Sequence, residues 1–369
     1  MSSSRKDAFK LPPLDRISQA ARRKKALEDQ KRKRALKFDQ SRNLSLDAFA
    51  ELTLGQDEDE DETLYPKVVQ SGLASFASAF TQSKKKHSPK NHVKSSPATN
   101  ARWADKCMYA ELLEMSCKDV HSDPLPSDLH TSWVALSPVP VGKRCLAITR
   151  EGPSFTSSKI SLRSRLLGKP LLSYFPSTLP TNTILDCILD ADWRSNGILH
   201  VLDVIRWKGQ ELADCEAGMR FWWRDTRLSE LSSLPPPPSS PSSSQGGSYS
   251  YPYPTTLLAV PYHPAPLTIP TLLDIVVPAA RNTRIVEVLA PPAHETTGDM
   301  DIDTATQISH SLSSDGLLLY VAEACYESGT SPLSSWVPLQ EDANSSSMDT
   351  FEQLLRRRAE EGSSLAMDI

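Results

Sequence analysis

The sequence predicts an α+β fold: a largely antiparallel sheet domain preceded by a basic helical arm. Short apolar runs rich in Val, Ile and Leu, bounded by turn residues, outnumber segments of helical periodicity from about residue 131 to 338. Seven Trp need a core to pack on, yet the 39% apolar composition falls below the ~45–50% of a globular chain. With 29 prolines in 369 residues, this composition fits one medium domain carrying polar ends and insertions. Residues 1–52 carry 14 Lys+Arg and 7 Asp+Glu, a net +7, whereas the remaining 317 residues carry a net −11. A basic arm on an acidic body points to a partner that reads the arm. No stretch approaches ~18 consecutive apolar residues, so no membrane-spanning helix is expected.

Residues 18–42 are rich in Ala, Leu, Lys, Arg and Gln, contain no Gly or Pro, and follow the Pro12-Pro13 breaker; they predict a helix. Charges cover every side of it, with Leu27 and Leu36 leaving a thin apolar stripe. Such a helix is expected to become ordered on a partner rather than on its own domain. Its binding residues are Arg22, Arg23, Lys24, Lys25, Lys31, Arg32, Lys33 and Arg34. A basic zipper would need heptads after this helix, and residues 43–64 have none. Upstream, Phe9, Leu11, Leu14 and Ile17 have the spacing of a leucine-rich export signal. Residues 53–101 predict a disordered linker, with six consecutive acids at 57–62 and a lysine patch from Lys84 to Lys94.

The body is expected over 102–342. Residues 131–150 read as strand, turn and strand, and 183–209 as two strands around Ser195-Asn196-Gly197. Residues 219–231 read as an amphipathic helix. Insertions are expected at 232–250, a Pro/Ser run of polyproline II character, and at 291–311. A strand at 315–326 is bounded by Gly329 and Pro332. The tail, 343–369, holds a short helix opened by a capping box at Thr350 and Gln353 and ended by Gly362. Trp193, Trp207, Trp222 and Trp223 are expected in the core. Six cysteines show no C-x-x-C pair and no His at zinc spacing, so they predict small core hydrophobes in a reducing compartment and no metal site. No cofactor is implied. The Met-Ser-Ser-Ser-Arg-Lys start lacks the apolar region of a secretory leader, so an intracellular chain is expected.

Four segments in this order, PVGKR (140–144), TILDCI (183–188), HVLDVIRWKG (200–209) and DGLLLY (315–320), resemble the nucleotide-binding fold of mRNA guanylyltransferases and ligases. Those enzymes need a nucleophilic lysine in K-x-D-G. None exists here: Lys143 is followed by Arg144 and Cys145, and SSWVP (334–338) stands where a lysine pair is expected. The resemblance implies the pocket without the covalent chemistry, and hence no catalytic residue.

The same segments, with PSDL (126–129), MRFWW (219–223) and SPLSSW (331–336), more closely resemble the snurportin family over about 102–340. The basic helix is similar to that family's importin-β-binding segment. The resemblance implies a nuclear import adaptor that binds the 2,2,7-trimethylguanosine cap of spliceosomal small nuclear RNAs, links the ribonucleoproteins to importin-β, and shuttles between cytoplasm and nucleus. An exportin partner is implied for the N-terminal region, and no membrane. A methylated guanine is flat and cationic, so an aromatic face is its natural partner. Trp336 occupies the family's stacking position, with Lys143, Arg144 and Lys159 as cations for the triphosphate. Leu112 stands where the family has a second Trp at the pocket entrance, and Tyr109 or Trp103 could substitute for it. Two other readings stay open: a guanylyltransferase- or ligase-like nucleotidyltransferase, and a nucleic-acid-binding protein that uses the arm.

Overall fold

The two strands on either side of Val141 do not form a hairpin; each joins a different sheet. This is a computed structural model describing residues 18–53, 102–115, 123–151, 158–237, 249–290, 307–339 and 346–367. The chain opens with α1 (Gln19–Thr53) and β1 (Met108–Leu112), followed by β2 (Trp133–Pro140) and β3 (Gly142–Glu151). Next come β4 (Ser158–Ser164), β5 (Pro170–Ser177), β6 (Ile184–Asp190), a short α2 (Trp193–Asn196), β7 (Ile198–Trp207) and β8 (Gln210–Glu211). After α3 (Ala217–Ser229) the chain forms β9 (Thr256–Ala259) and β10 (Tyr262–His263). A helical stretch follows, α4 (Ile269–Thr271) passing through a π-turn (Leu272–Val276) into α5 (Val277–Arg281). The last elements are β11 (Arg284–Leu289), β12 (Gln307–Leu312), β13 (Ser314–Val321), β14 (Gly329–Pro338) and α6 (Ser347–Met367).

One sheet has the order β1-β14-β13-β2-β10, a second the order β5-β4-β3-β6-β7-β8 with β9 pairing β7, and β11 and β12 form a third, two-stranded sheet. Pairing is antiparallel except for β1 with β14 and β7 with β9. The fold is therefore mixed α+β with mostly antiparallel sheet, as the alternating runs predict. Trp133, Leu136, Leu317, Leu319, Val337 and Phe351 build the core of the first sheet; Cys145, Leu162, Leu185, Cys187 and Val201 build that of the second. Cys145 and Cys187 face each other in register, unbridged and fully buried. Burial pushes the Cys145 thiol up to about 12, so it behaves as a packing group.

Several elements depart from expectation. In α3 the buried face is Ala217, Arg220, Phe221 and Arg224, while Trp222 is 52% exposed. The arginines go inside because fixed acceptors wait there: Arg220 meets Asp203, and Arg224 donates to the carbonyls of Leu202 (2.6 Å) and Val260 (2.7 Å). Trp207 is buried as expected, and Trp223 is partly buried. Residues 307–311, read as insertion, pair with β11. In the Pro/Ser run Pro236 is buried and the Pro237 carbonyl accepts from the Tyr249 hydroxyl at 2.6 Å; residues 238–248 lie outside the described residues. Gly329 and Pro332 lie inside a second strand, β14, rather than ending the first. The tail helix starts at Ser347 and continues through Gly362. It places Met348, Phe351 and Leu355 in the core, which extends the body past 342.

The largest correction concerns α1. Its residues 19–34 form one compact unit with residues 99–369, so the helix is ordered on its own domain. Buried polar contacts replace the missing apolar stripe. Gln19 and Gln30 are each 2% exposed, and Ala26 and Leu27 pack on the core. The linker, the lysine patch and the export-signal spacing at Phe9, Leu11, Leu14 and Ile17 lie outside the described residues.

Candidate functional site

A cleft of about 590 Å³ opens where the chain crosses from β2 to β3, a volume within the usual range for small-ligand sites. Gly142 makes the crossing possible. A Cβ there would lie 2.3 Å from the Leu189 carbonyl oxygen, so only glycine lets β3 approach β6 this closely. One wall comes from the five-stranded sheet, with Trp336, Leu318 and, on β1, Tyr109 and Ala110. The other comes from Gly142–Arg144, the end of β6 and Trp193, and the β4–β5 turn adds Arg165 and Leu167.

Trp336 lines this cleft, yet it is 4% exposed and belongs to the core. It stands between Leu318 of β13 and Leu112 of β1 in register. Pocket wall and core member are one position here. Leu112 itself packs against the core and is not part of the cleft wall, whereas Tyr109 from the same strand is. The Tyr109 hydroxyl donates to the Arg165 carbonyl at 3.2 Å, and the Arg165 guanidinium lies 5.6 Å from its ring centroid. Trp103 packs instead with Cys107 and Leu146, away from the cleft.

The expected cations separate. Lys143 is exposed on β3 at the cleft. Arg144 borders the cleft, but its guanidinium forks onto Asp186 at 2.7 and 2.8 Å and donates to the Met108 carbonyl at 2.9 Å. Burial opposes its charge, but Asp186 outweighs burial and holds Arg144 well above its ordinary pKa. Asp186 is fully buried and also accepts from Tyr326 at 2.5 Å. A carboxylate there requires a paired cation, so Arg144 ties β1, β3 and β6 together. Lys159, expected on a loop, lies within β4 opposite Arg150, outside the cleft lining. Arg165 supplies the second cation at the cleft. Arg165 was not among the expected cations; it is the first residue after β4.

Trp193, expected in the core, is half-buried: it packs against the second core and also lines the cleft. It projects from the β6–β7 connection, which Asp190 braces: its carboxylate accepts from Asn196 Nδ2 and the Asp192 amide, both at 2.8 Å, and faces His200 Nε2 at 2.8 Å. Burial raises the Asp190 pKa, but these hydrogen bonds outweigh it and hold the carboxyl below the ordinary range. Gly197, at φ +67°, closes the turn in the left-handed region.

A nucleotide-sized cleft with aromatic walls and cations at its edge defines a module for a flat base carrying phosphates. Residues 121–241, from before β2 to beyond α3, match the family model described as the Snurportin1 m3G cap-binding domain. Over that stretch the chain is similar to the snurportin cap-binding domain, and the function the match supports is cap binding. The matched region contains Lys143, Arg165 and Trp193; Tyr109 and Trp336 reach the same cleft from β1 and β14, outside it.

The rigid turn makes a prediction. Trp193→Ala should weaken binding of a capped dinucleotide by roughly 0.5–1.5 kcal/mol, the usual range for one aromatic contact, with a modest fall in melting temperature from its lost packing on the second core. Fluorescence titration beside a thermal melt checks both; unaltered affinity would remove Trp193 from the site.

Proposed function

We propose that this protein is a non-enzymatic nuclear import adaptor. It binds the 2,2,7-trimethylguanosine cap of spliceosomal small nuclear RNAs and connects their ribonucleoproteins to importin-β, shuttling between cytoplasm and nucleus. The observation that carries the cap half is the cleft itself, with Trp336 and Trp193 in its walls and Lys143 and Arg165 at its edge, adjoining a sequence match to a cap-binding domain. A cationic purine gains stacking and cation–π attraction from such walls, and the lysine and arginine offer charge to the triphosphate. The importin-β half is supported by the arm's net +7 and by its helical form. An exportin, reading Phe9, Leu11, Leu14 and Ile17, belongs to the same proposal. A nucleotidyltransferase reading has no K-x-D-G nucleophile in the sequence to support it.

The test is a titration of trimethyl against monomethyl cap dinucleotides, followed by tryptophan fluorescence. Tighter binding of the trimethyl cap is expected; equal affinities would refute the specificity. In the same protein, reversing charge at the exposed Lys24 and Lys25 should weaken importin-β capture and leave cap affinity unchanged. Incubation with labelled GTP serves as a control, since a covalent adduct would overturn the adaptor reading.

A further inference from the structure

The body offers α1 an acidic seat. Arg22 reaches Glu111 at 2.8 Å, and Gln19 donates to Glu111 at 3.2 Å and to the Leu112 carbonyl at 2.9 Å. About three turns of helix beyond Gln19, Gln30 exchanges two hydrogen bonds with the Cys325 backbone, at 2.9 and 3.3 Å. Lys31 pairs with Glu323 at 2.8 Å, Lys33 with Glu327 at 3.1 Å and Arg34 with Glu216 at 3.6 Å. Arg23 lies 5.3 Å from the Trp133 ring centroid. Five of the arm's eight candidate receptor-binding cations are thus engaged with the chain's own body.

We infer that this acidic face is a docking surface for the chain's own basic helix, and that an acidic partner reads those five cations only by displacing α1. The docked face of α1 is covered, with the Arg22 side chain 11% exposed and Gln19 and Gln30 at 2%, so a partner that reads this face must first lift the helix, and docking and capture compete. The seat is built to be left. The Lys31 and Lys33 pairs are solvent-exposed and contribute little, while Glu111, at 1% exposure, is the anchor. Lys24, Lys25 and Arg32 remain exposed while α1 is docked and give an incoming acidic surface its first contact. Apparent affinity falls by the undocked fraction, so a helix docked about nine-tenths of the time binds its partner about tenfold more weakly. The identity of that partner as importin-β rests on the adaptor reading; the docked state does not.

The experiment compares the full chain with Glu111→Gln, at the buried anchor, and with Glu323→Gln/Glu327→Gln, at an exposed and a half-exposed position, with a thermal melt of each variant to check its fold. Importin-β affinity is measured for each, and amide hydrogen exchange of residues 19–34 is followed without partner. Expected are slow exchange in the wild type, faster exchange in both variants, and tighter receptor binding, about tenfold for Glu111→Gln and less for the double variant. Exchange at unstructured-peptide rates in the wild type would overturn the docked state. Faster exchange with unchanged or weaker receptor binding would overturn the competition. If no form binds importin-β yet exchange responds as expected, the receptor assignment fails and the docking stands.

Discussion

Asp203→Ala is expected to lower the unfolding free energy by about 3–5 kcal/mol, the usual cost of orphaning one member of a buried ion pair. Asp203 and Arg220 are both fully buried, and Arg220 Nη2 and Nε donate to the carboxylate at 2.9 to 3.2 Å. The same guanidinium reaches the carbonyls of Cys215 (2.6 Å) and Ala324 (2.8 Å), which cannot neutralise it. Burial disfavours the Arg220 charge, and Asp203 more than compensates. Alanine removes that compensation and leaves a cation in the core. Urea unfolding should show a lower midpoint at unchanged slope. Replacing both partners together, Asp203→Leu with Arg220→Met, should recover much of the loss. A loss under about 1 kcal/mol for Asp203→Ala would mean that water reaches the site, contrary to its burial.

The second large effect belongs to Trp336, where stability and affinity cannot be separated by truncation. At 4% exposure it is a core residue, so Trp336→Ala should cost ~3–5 kcal/mol of stability. It is also the wall of the cleft, so cap affinity measured on the folded fraction should fall by a further ~1–3 kcal/mol. Trp336→Phe is the informative variant. It keeps a stacking face and most of the volume, so the melting temperature should fall modestly while binding falls partway with the weakened cation–π attraction. Full cap affinity in a folded Trp336→Ala protein would show that the base stacks elsewhere, and Trp193 would become the first place to look.

The strand pattern was legible because most strands alternate or run apolar between clear breakers; 131–150 and 183–209 resolve into strands within a few residues of expectation. Sheet membership was not. Nothing in the residues around Val141 distinguishes a hairpin turn from a crossing between sheets, because β2 takes its partners, β10 and β13, from far along the sequence. Helical amphipathicity misled in α3 for a related reason. Arg220 and Arg224 look like surface residues until Asp203 and the β7 carbonyls are in place to receive them. Arg144 belongs to the same class: its sequence neighbours advertise a phosphate ligand, and only Asp186, on the adjacent strand, shows that the charge is already committed. The cleft was therefore legible in its strands, Trp336, Tyr109 and Lys143, and illegible in Arg165 and in the pairing of Arg144 with Asp186.

The pairing of β1 with β14 joins residues more than two hundred positions apart, and Gln30 meets Cys325 across 295. Emergence from the ribosome is directional, so the basic helix leaves the exit tunnel long before its acidic seat exists. Through most of synthesis α1 is an unshielded polycation beside ribosomal RNA, and the cleft lacks the wall that carries Trp336. Non-local parallel pairing of this kind forms late and slowly. A newborn chain can neither grip a cap nor sheathe its own arm until the last strands have been added, and it acquires both abilities at nearly the same moment.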